Sequence, residues 1–362
     1  MIRAERAVPG AVRLGRVRRN PSLSAAYRLI ALSLLLASCS IFEEAGEEAD
    51  SEFEEVLEDS AEEAQLDIEC PSVSEGSTTL ADRFDESELV RTFPQPAYEI
   101  DVTDLGAEPR EELRYDLVTG DLASVVSTLE SELTQTVGSE TTKSELTATT
   151  RLDIEVGQPS AEEVVRYGAI SSYELETSDP AAAEQADTTT AFTTGLVSRE
   201  TSGTDGVPAE VLISTTAPVP PVLEPSLDDF STGLAGAMAT FPQEAIGSGA
   251  RWTVAFPTTF QGLEANAMST ITLTGRAGSL VSLDVDLDLE YPPQEITIPN
   301  SEPVTVEEGS LAISGSLALD LAQPGPCSTE LSGEGDLAYR DAATAQTFTQ
   351  HTEMTQTVVP AE

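Results

Sequence analysis

The side chains able to carry covalent or metal chemistry are few. His351 is the single histidine of the 362-residue chain, so any Ser-His-Asp or Cys-His arrangement rests on it. It stands among Thr, Gln and Glu in an alternating stretch and reads as an exposed strand residue. Asp284-x-Asp286-x-Asp288 imitates the start of a calcium loop, but Leu289 occupies the place that needs Gly, and the alternation marks a strand. No paired His or Cys spacing suggests zinc, and no phosphate loop or dinucleotide fingerprint is present. Carboxylate pairs of the kind glycosidases use are uninformative in a chain with 64 Asp and Glu. These residues predict no cofactor, no metal and no enzymatic activity, with a hydrolase as the third-ranked reading of function.

The three cysteines carry more. Cys39 closes Leu36-Ala37-Ser38-Cys39, at the end of the apolar run Leu29 to Ala37 and behind a leader holding Arg3, Arg6, Arg13, Arg16, Arg18, Arg19 and Arg28. A basic leader, a short apolar segment and small residues at its end match a secretory signal. The run is too short to span a bilayer, which takes about 20 apolar residues. The pattern resembles bacterial lipoprotein signals, and the resemblance implies that residues 1–38 are removed and that Cys39 is lipidated as the new N-terminus. The expected location is the extracytoplasmic face of the cell membrane. Arg18-Arg19 hints at twin-arginine export, but Pro21 and Ser22 stand where that motif wants apolar residues. Cys70 and Cys327 remain; in an exported chain such an isolated pair forms a disulfide. A redox or metal role lacks a neighbouring Cys or His.

Charge limits the partners. Without residues 1–38 the chain keeps 11 Lys and Arg against 63 Asp and Glu, a net charge near −52. Such a field excludes nucleic acid and repels anionic membrane surfaces, leaving the N-terminal lipid as the expected membrane contact. Lys143 is the only lysine. An acidic, lysine-poor surface suits a saline habitat as well as it suits a cationic partner. Residues 40–69 hold 14 Asp or Glu and no base, so 39–69 reads as a disordered acidic tether below the lipid. A bait for a basic partner is the alternative.

The remainder, 70–362, is written mainly in period two. Leu146, Ala148, Leu152, Ile154 and Val156 alternate with Glu145, Thr147, Thr149, Asp153 and Glu155. Val281 to Tyr291 repeats the pattern, as half-buried antiparallel strands require. Further strands are expected at 113–117, 164–175, 192–200 and 209–214, and again from Trp252 to 359, with a Pro-rich break at Pro292 to Pro303. One helix, about 226–241, is expected from Leu227, Phe230, Leu234, Met238 and Phe241 at spacings of three and four, with Ser226 as cap. The predicted fold class is mainly β (α+β): an antiparallel, curved sheet in two halves, about 111–214 and 252–359, with that helix packed between them.

Phe241-Pro242-Gln243-Glu244-Ala245-Ile246-Gly247-Ser248-Gly249-Ala250-Arg251-Trp252 resembles a family of secreted bacterial domains of unknown function, whose members carry Phe-Pro, a Val-Gly-x-Gly turn and a Trp opening a strand. Ile246 replaces the usual valine. Phe241, Pro242, Gly247, Gly249 and Trp252 form a fold signature: the glycines are expected to turn the chain through positive φ and the Trp ring to be buried. The resemblance brings no activity. The expected function is binding. One version is a carrier of hydrophobic ligand, by architectural analogy to LolA-like lipid carriers, with a cavity under the helix; the other is an envelope interaction protein with a filled core.

Overall fold

The computed structural model of the protein describes residues 68, 70–75, 79–85, 89–158, 160, 163–215, 218–219, 223, 227, 230–231, 238–260, 262–296, 303–341 and 344–361. The segment 1–38 expected as a signal, the segment 39–69 expected as a tether (apart from Ile68), and Cys39 lie outside them. Alternation of apolar and polar side chains drives the architecture. In β4 (Asp121–Val137) and β5 (Glu140–Val156) every second residue, from Ala123 through Leu133 and from Ala148 through Ile154, is buried on one face. Among the described residues the sheet has fifteen strands, and their pairings are antiparallel.

Two meanders make up most of it. The first runs through β4, β5, β6 (Glu163–Thr177), β7 (Val197–Gly203) and β8 (Pro208–Ser214). The second runs through β9 (Arg251–Phe260), β10 (Leu263–Ala277), β11 (Leu280–Tyr291), β13 (Val304–Asp320), β14 (Pro326–Asp341) and β15 (Thr347–Pro360), with the short β12 (Gln294–Ile296) on the side of β13. They are joined where β15 pairs with β4 along most of both strands. One apolar cluster spans both meanders, from Leu129 and Ile154 to Trp252, Leu283 and Tyr339. The two halves therefore share a single core.

The sheet curls until its last two strands are neighbours in the chain. β2 (Val90–Pro94) pairs with β8, and β3 (Glu99–Asp104) pairs with β9. Residues 95–98 connect them. Descending along the gap, one stretch of chain thus changes partner halfway, and the ring is bridged covalently with no ladder between β2 and β3. Upstream, Cys70 is disulfide-bonded to Cys327, and β1 (Ser74–Glu75) pairs with the start of β4. Helix α1 (Thr79–Asp85) packs Leu80 and Phe84 against Ala169, Val197 and Tyr167. The Leu80 N–H donates to the buried Glu155 carboxylate at 2.7 Å. The described parts of 70–104 therefore form a strap.

One end of the ring is plugged. The Tyr115 N–H donates to Thr204 O at 2.8 Å and the Phe241 N–H to Asp205 O at 2.8 Å, while Glu111 and Ile246 exchange hydrogen bonds. Leu113, Tyr115 and Leu117 are buried but form no strand, so their alternation marks insertion into the core where a strand was expected. Trp252 is fully buried, and its indole N–H donates to Thr240 O at 2.9 Å. Of the two signature glycines, Gly249 has positive φ, +79°, whereas Gly247 is needed for close approach, since a Cβ there would lie 1.8 Å from Ala107 O.

The helical expectations need correction. Leu227, Phe230 and Ser231 are helical and buried, but Met238 to Phe241 are not helical, so the helix ends before them; 232–237 lie outside the described residues. A second long helix, α2 (Pro180–Thr193), stands between β6 and β7. It takes in Phe192, and β7 begins only at Val197.

Candidate functional site

The partner change at 95–98 builds a site. β3 pairs β9 only over Arg251 to Ala255, so among the described residues the stretch Phe256 to Phe260 has a ladder on its β10 side alone. A cleft of about 510 Å³ opens there. On one side stand Phe93, Pro94, Gln95 and Pro96; on the other, Pro257, Thr258 and Thr259. Tyr98 stacks on Phe256, with ring centroids 4.7 Å apart and 22° between planes, and the pair forms an aromatic platform. Glu264, Asn266, Pro292 and the buried Ser231 complete the lining. The Gln95 side-chain N–H donates to Phe93 O at 3.1 Å, which tightens the link.

Proline explains why the seam stays open. Pro257 has no N–H to offer an incoming strand, and Pro94 and Pro96 interrupt the opposite side. The cleft is thus a place for side-chain contact with a ligand more than for strand addition. Burial, helped by the Glu200 charge, holds the Tyr98 hydroxyl well above the ordinary tyrosine range, so it remains a neutral hydrogen-bonding group.

Behind the cleft lies a buried ion pair. Arg166 of β6 and Glu200 of β7 are direct cross-strand partners, exposed by only 5% and 4%. One guanidinium nitrogen, Nη2, is ion-paired with Glu200 Oε2, and Nη1 donates to Pro324 O at 2.9 Å. Among the described residues Arg166 Nε and Glu200 Oε1 have no hydrogen-bond partner. Burial pushes the Glu200 carboxyl up against the opposing pull of Arg166.

The residues singled out for chemistry fall elsewhere. His351 is on the exposed side of β15, where Nδ1 lies 3.0 Å from Asp336 and Nε2 lies 3.4 Å from Glu353. Its side-chain partners here are the carboxylates of Asp336 and Glu353, which orient and charge it but supply no nucleophile. Asp284, Asp286 and Asp288 lie along β11 on the exposed face, and among the described residues no group of three or more His, Cys, Asp or Glu could hold a metal. Phe241, Pro242, Gly247, Gly249 and Trp252 belong to the plug and its approach to β9, and none of them lines the cleft. The cleft at the seam has Ser231 of the helical stretch in its wall. Phe93-Pro94-Gln95-Pro96, followed by Tyr98, was the signal available in the sequence: aromatics around two prolines between short alternating runs.

Among the described residues no helix is long and apolar enough to cross a membrane, which leaves strands out of account. No family model matches the chain, and no curated protein matches it. Among solved structures the chain is similar to an outer membrane channel from Pseudomonas putida F1, at 9% identity, over 72% of this chain and 99% of that one. The TM-score of that likeness is 0.20, too low to carry any argument about function.

Proposed function

We propose that this chain is a lipid-anchored, extracytoplasmic binding protein that takes a small apolar or amphipathic ligand into the seam cleft, without catalysis. The observation that carries the reading is the cleft itself: about 510 Å³ between the 95–98 link and the unpaired half of β9, with the Tyr98–Phe256 platform inside. Its volume lies in the range of small-molecule sites, as does the mixture of aromatic and proline walls with a few polar groups. The lipobox at Cys39 and the strong acidity support an envelope location away from anionic lipid surfaces. The test is binding of the apolar fluorophore N-phenyl-1-naphthylamine. Saturable fluorescence enhancement by the unmodified protein is expected, weakened about tenfold or more by F256A and by Y98A. Enhancement that does not saturate, or that both variants leave unchanged, removes the cleft as the site.

A second reading is an envelope interaction protein. It is favoured by the single core that spans both meanders and by the segments around Leu113 to Leu117 and Phe241 to Ala250 that plug one end. That reading expects no small-ligand binding, so the same titration separates the two.

A further inference from the structure

The Arg166–Glu200 pair is costly to bury, and it is only half used. Two ionised groups taken out of water are well accommodated only when every remaining polar atom is satisfied, and native structures leave few such atoms without partners. Here one acceptor, Glu200 Oε1, and one donor, Arg166 Nε, of the same cross-strand pair are orphaned among the described residues.

Register connects this pair to the cleft. Phe93 of β2 is opposite Val211 of β8, Val211 is opposite Glu200 of β7, and Glu200 is opposite Arg166 of β6. Cross-strand partners share a face, so the four form one row on the core side of the sheet. Phe93 both lines the cleft and packs on the core. At about 4.8 Å between strands, Glu200 lies about 10 Å along the wall from it. Tyr98, on the other side of the cleft, feels the Glu200 charge.

We propose that Arg166 and Glu200 form the polar end of the ligand site, receiving a hydroxyl or similar donor-acceptor group of an amphipathic molecule whose apolar body lies in the seam cleft. The proposal rests on the binding role assigned to the cleft. A hydroxyl suits the two orphans because it donates to Glu200 Oε1 and accepts from Arg166 Nε. A purely apolar ligand fills the cleft and leaves both unsatisfied.

The test compares biphenyl with 4-phenylphenol as displacers of N-phenyl-1-naphthylamine from the full-length protein. A hydroxyl bonded to charged partners predicts about tenfold tighter binding of 4-phenylphenol. The double variant R166M/E200L removes both charges together, a replacement that buried pairs generally tolerate. In it the two displacers are expected to converge, with biphenyl unchanged. If the double variant fails to fold, E200Q serves, since a neutral acceptor lowers the 4-phenylphenol advantage at least threefold while biphenyl again stays unchanged. Biphenyl binding without a hydroxyl advantage in the unmodified protein, or an advantage retained in the variants, overturns the proposal and leaves the cleft reading intact. Failure of both displacers and of the fluorophore overturns both.

Discussion

Glu353 of β15 lies directly opposite Glu132 of β4, at the junction of the two meanders. The register extends this contact into a row across four strands, Glu334–Glu353–Glu132–Glu145. The adjacent row is Asp336–His351–Thr134–Lys143. The chain's only lysine and only histidine therefore stand beside this row of carboxylates. Lys143 is ion-paired with Glu132, and His351 reaches Asp336 and Glu353.

Like charges directly opposite each other in a sheet are destabilising, and the row makes that repulsion local. The carboxylates of β11 are arranged differently. Asp284, Asp286 and Glu290 face Thr272, Thr270 and Asn266 on one side and Ser316, Ser314 and Ser310 on the other. Among the described residues these carboxylates of strand 281–291 therefore have no carboxylate directly opposite them. For a soluble form lacking residues 1–69, the melting temperature is expected to rise with NaCl, as the Debye length falls from about 30 Å at 0.01 M to about 3 Å at 1 M. E353Q should raise it at low salt and K143A should lower it, both effects fading at high salt, whereas D286N should change little. Equal responses to E353Q and D286N would refute the localisation.

His351 predicts a pH dependence. Partial burial disfavours its charged form, but the hydrogen bonds and charges of Asp336 and Glu353 outweigh this and raise the pKa above 6.5. A group whose pKa is higher in the folded state contributes stability that is fully present below its unfolded pKa and is lost as pH rises through the folded value. The expected loss therefore begins near pH 6.5 and continues above it. Urea denaturation of the unmodified protein and of H351Q across pH 5 to 9 measures this, and the variant should lack that step.

The disulfide fastens the strap. Replacing Cys70 and Cys327 with Ser is expected to cost about 2–4 kcal/mol, and the first region to lose protection in hydrogen exchange should be 70–104, with β4 and β15 holding. Loss of protection spread evenly over the sheet would show that the strap is not an independent unit.

Lipidation is expected at Cys39. C39S should abolish palmitate labelling and processing by the lipoprotein signal peptidase. Labelling that survives the substitution places the anchor elsewhere.

The long strands were legible because period two is a local property: 144–156 and 281–291 alternate cleanly and form β5 and β11. Cys70 and Cys327 were legible by elimination. Helix α2 was not, since Pro180 to Thr193 is mostly Ala, Thr and Gln and has no apolar stripe. Leu113, Tyr115 and Leu117 alternate as a strand would but are held by the turns at Thr204 and Leu321. The seam was hidden for a different reason. Residues 90–104 are short runs around two prolines, and their meaning depends on β8 and β9, whose positions follow from the closure of the whole ring.

That dependence orders assembly in time. As the chain emerges, the segment that will bridge the ring is made before either edge it must join, since β8 and β9 come much later. Pairings so distant in sequence are slow to form. Until they do, a curled sheet with two bare margins is open to strands of other molecules. Pro208 begins one margin and Pro257 lies in the other, and neither can donate to an intruding strand. Pro257, which helps keep the cleft open in the finished protein, thus also guards the unfinished one against aggregation.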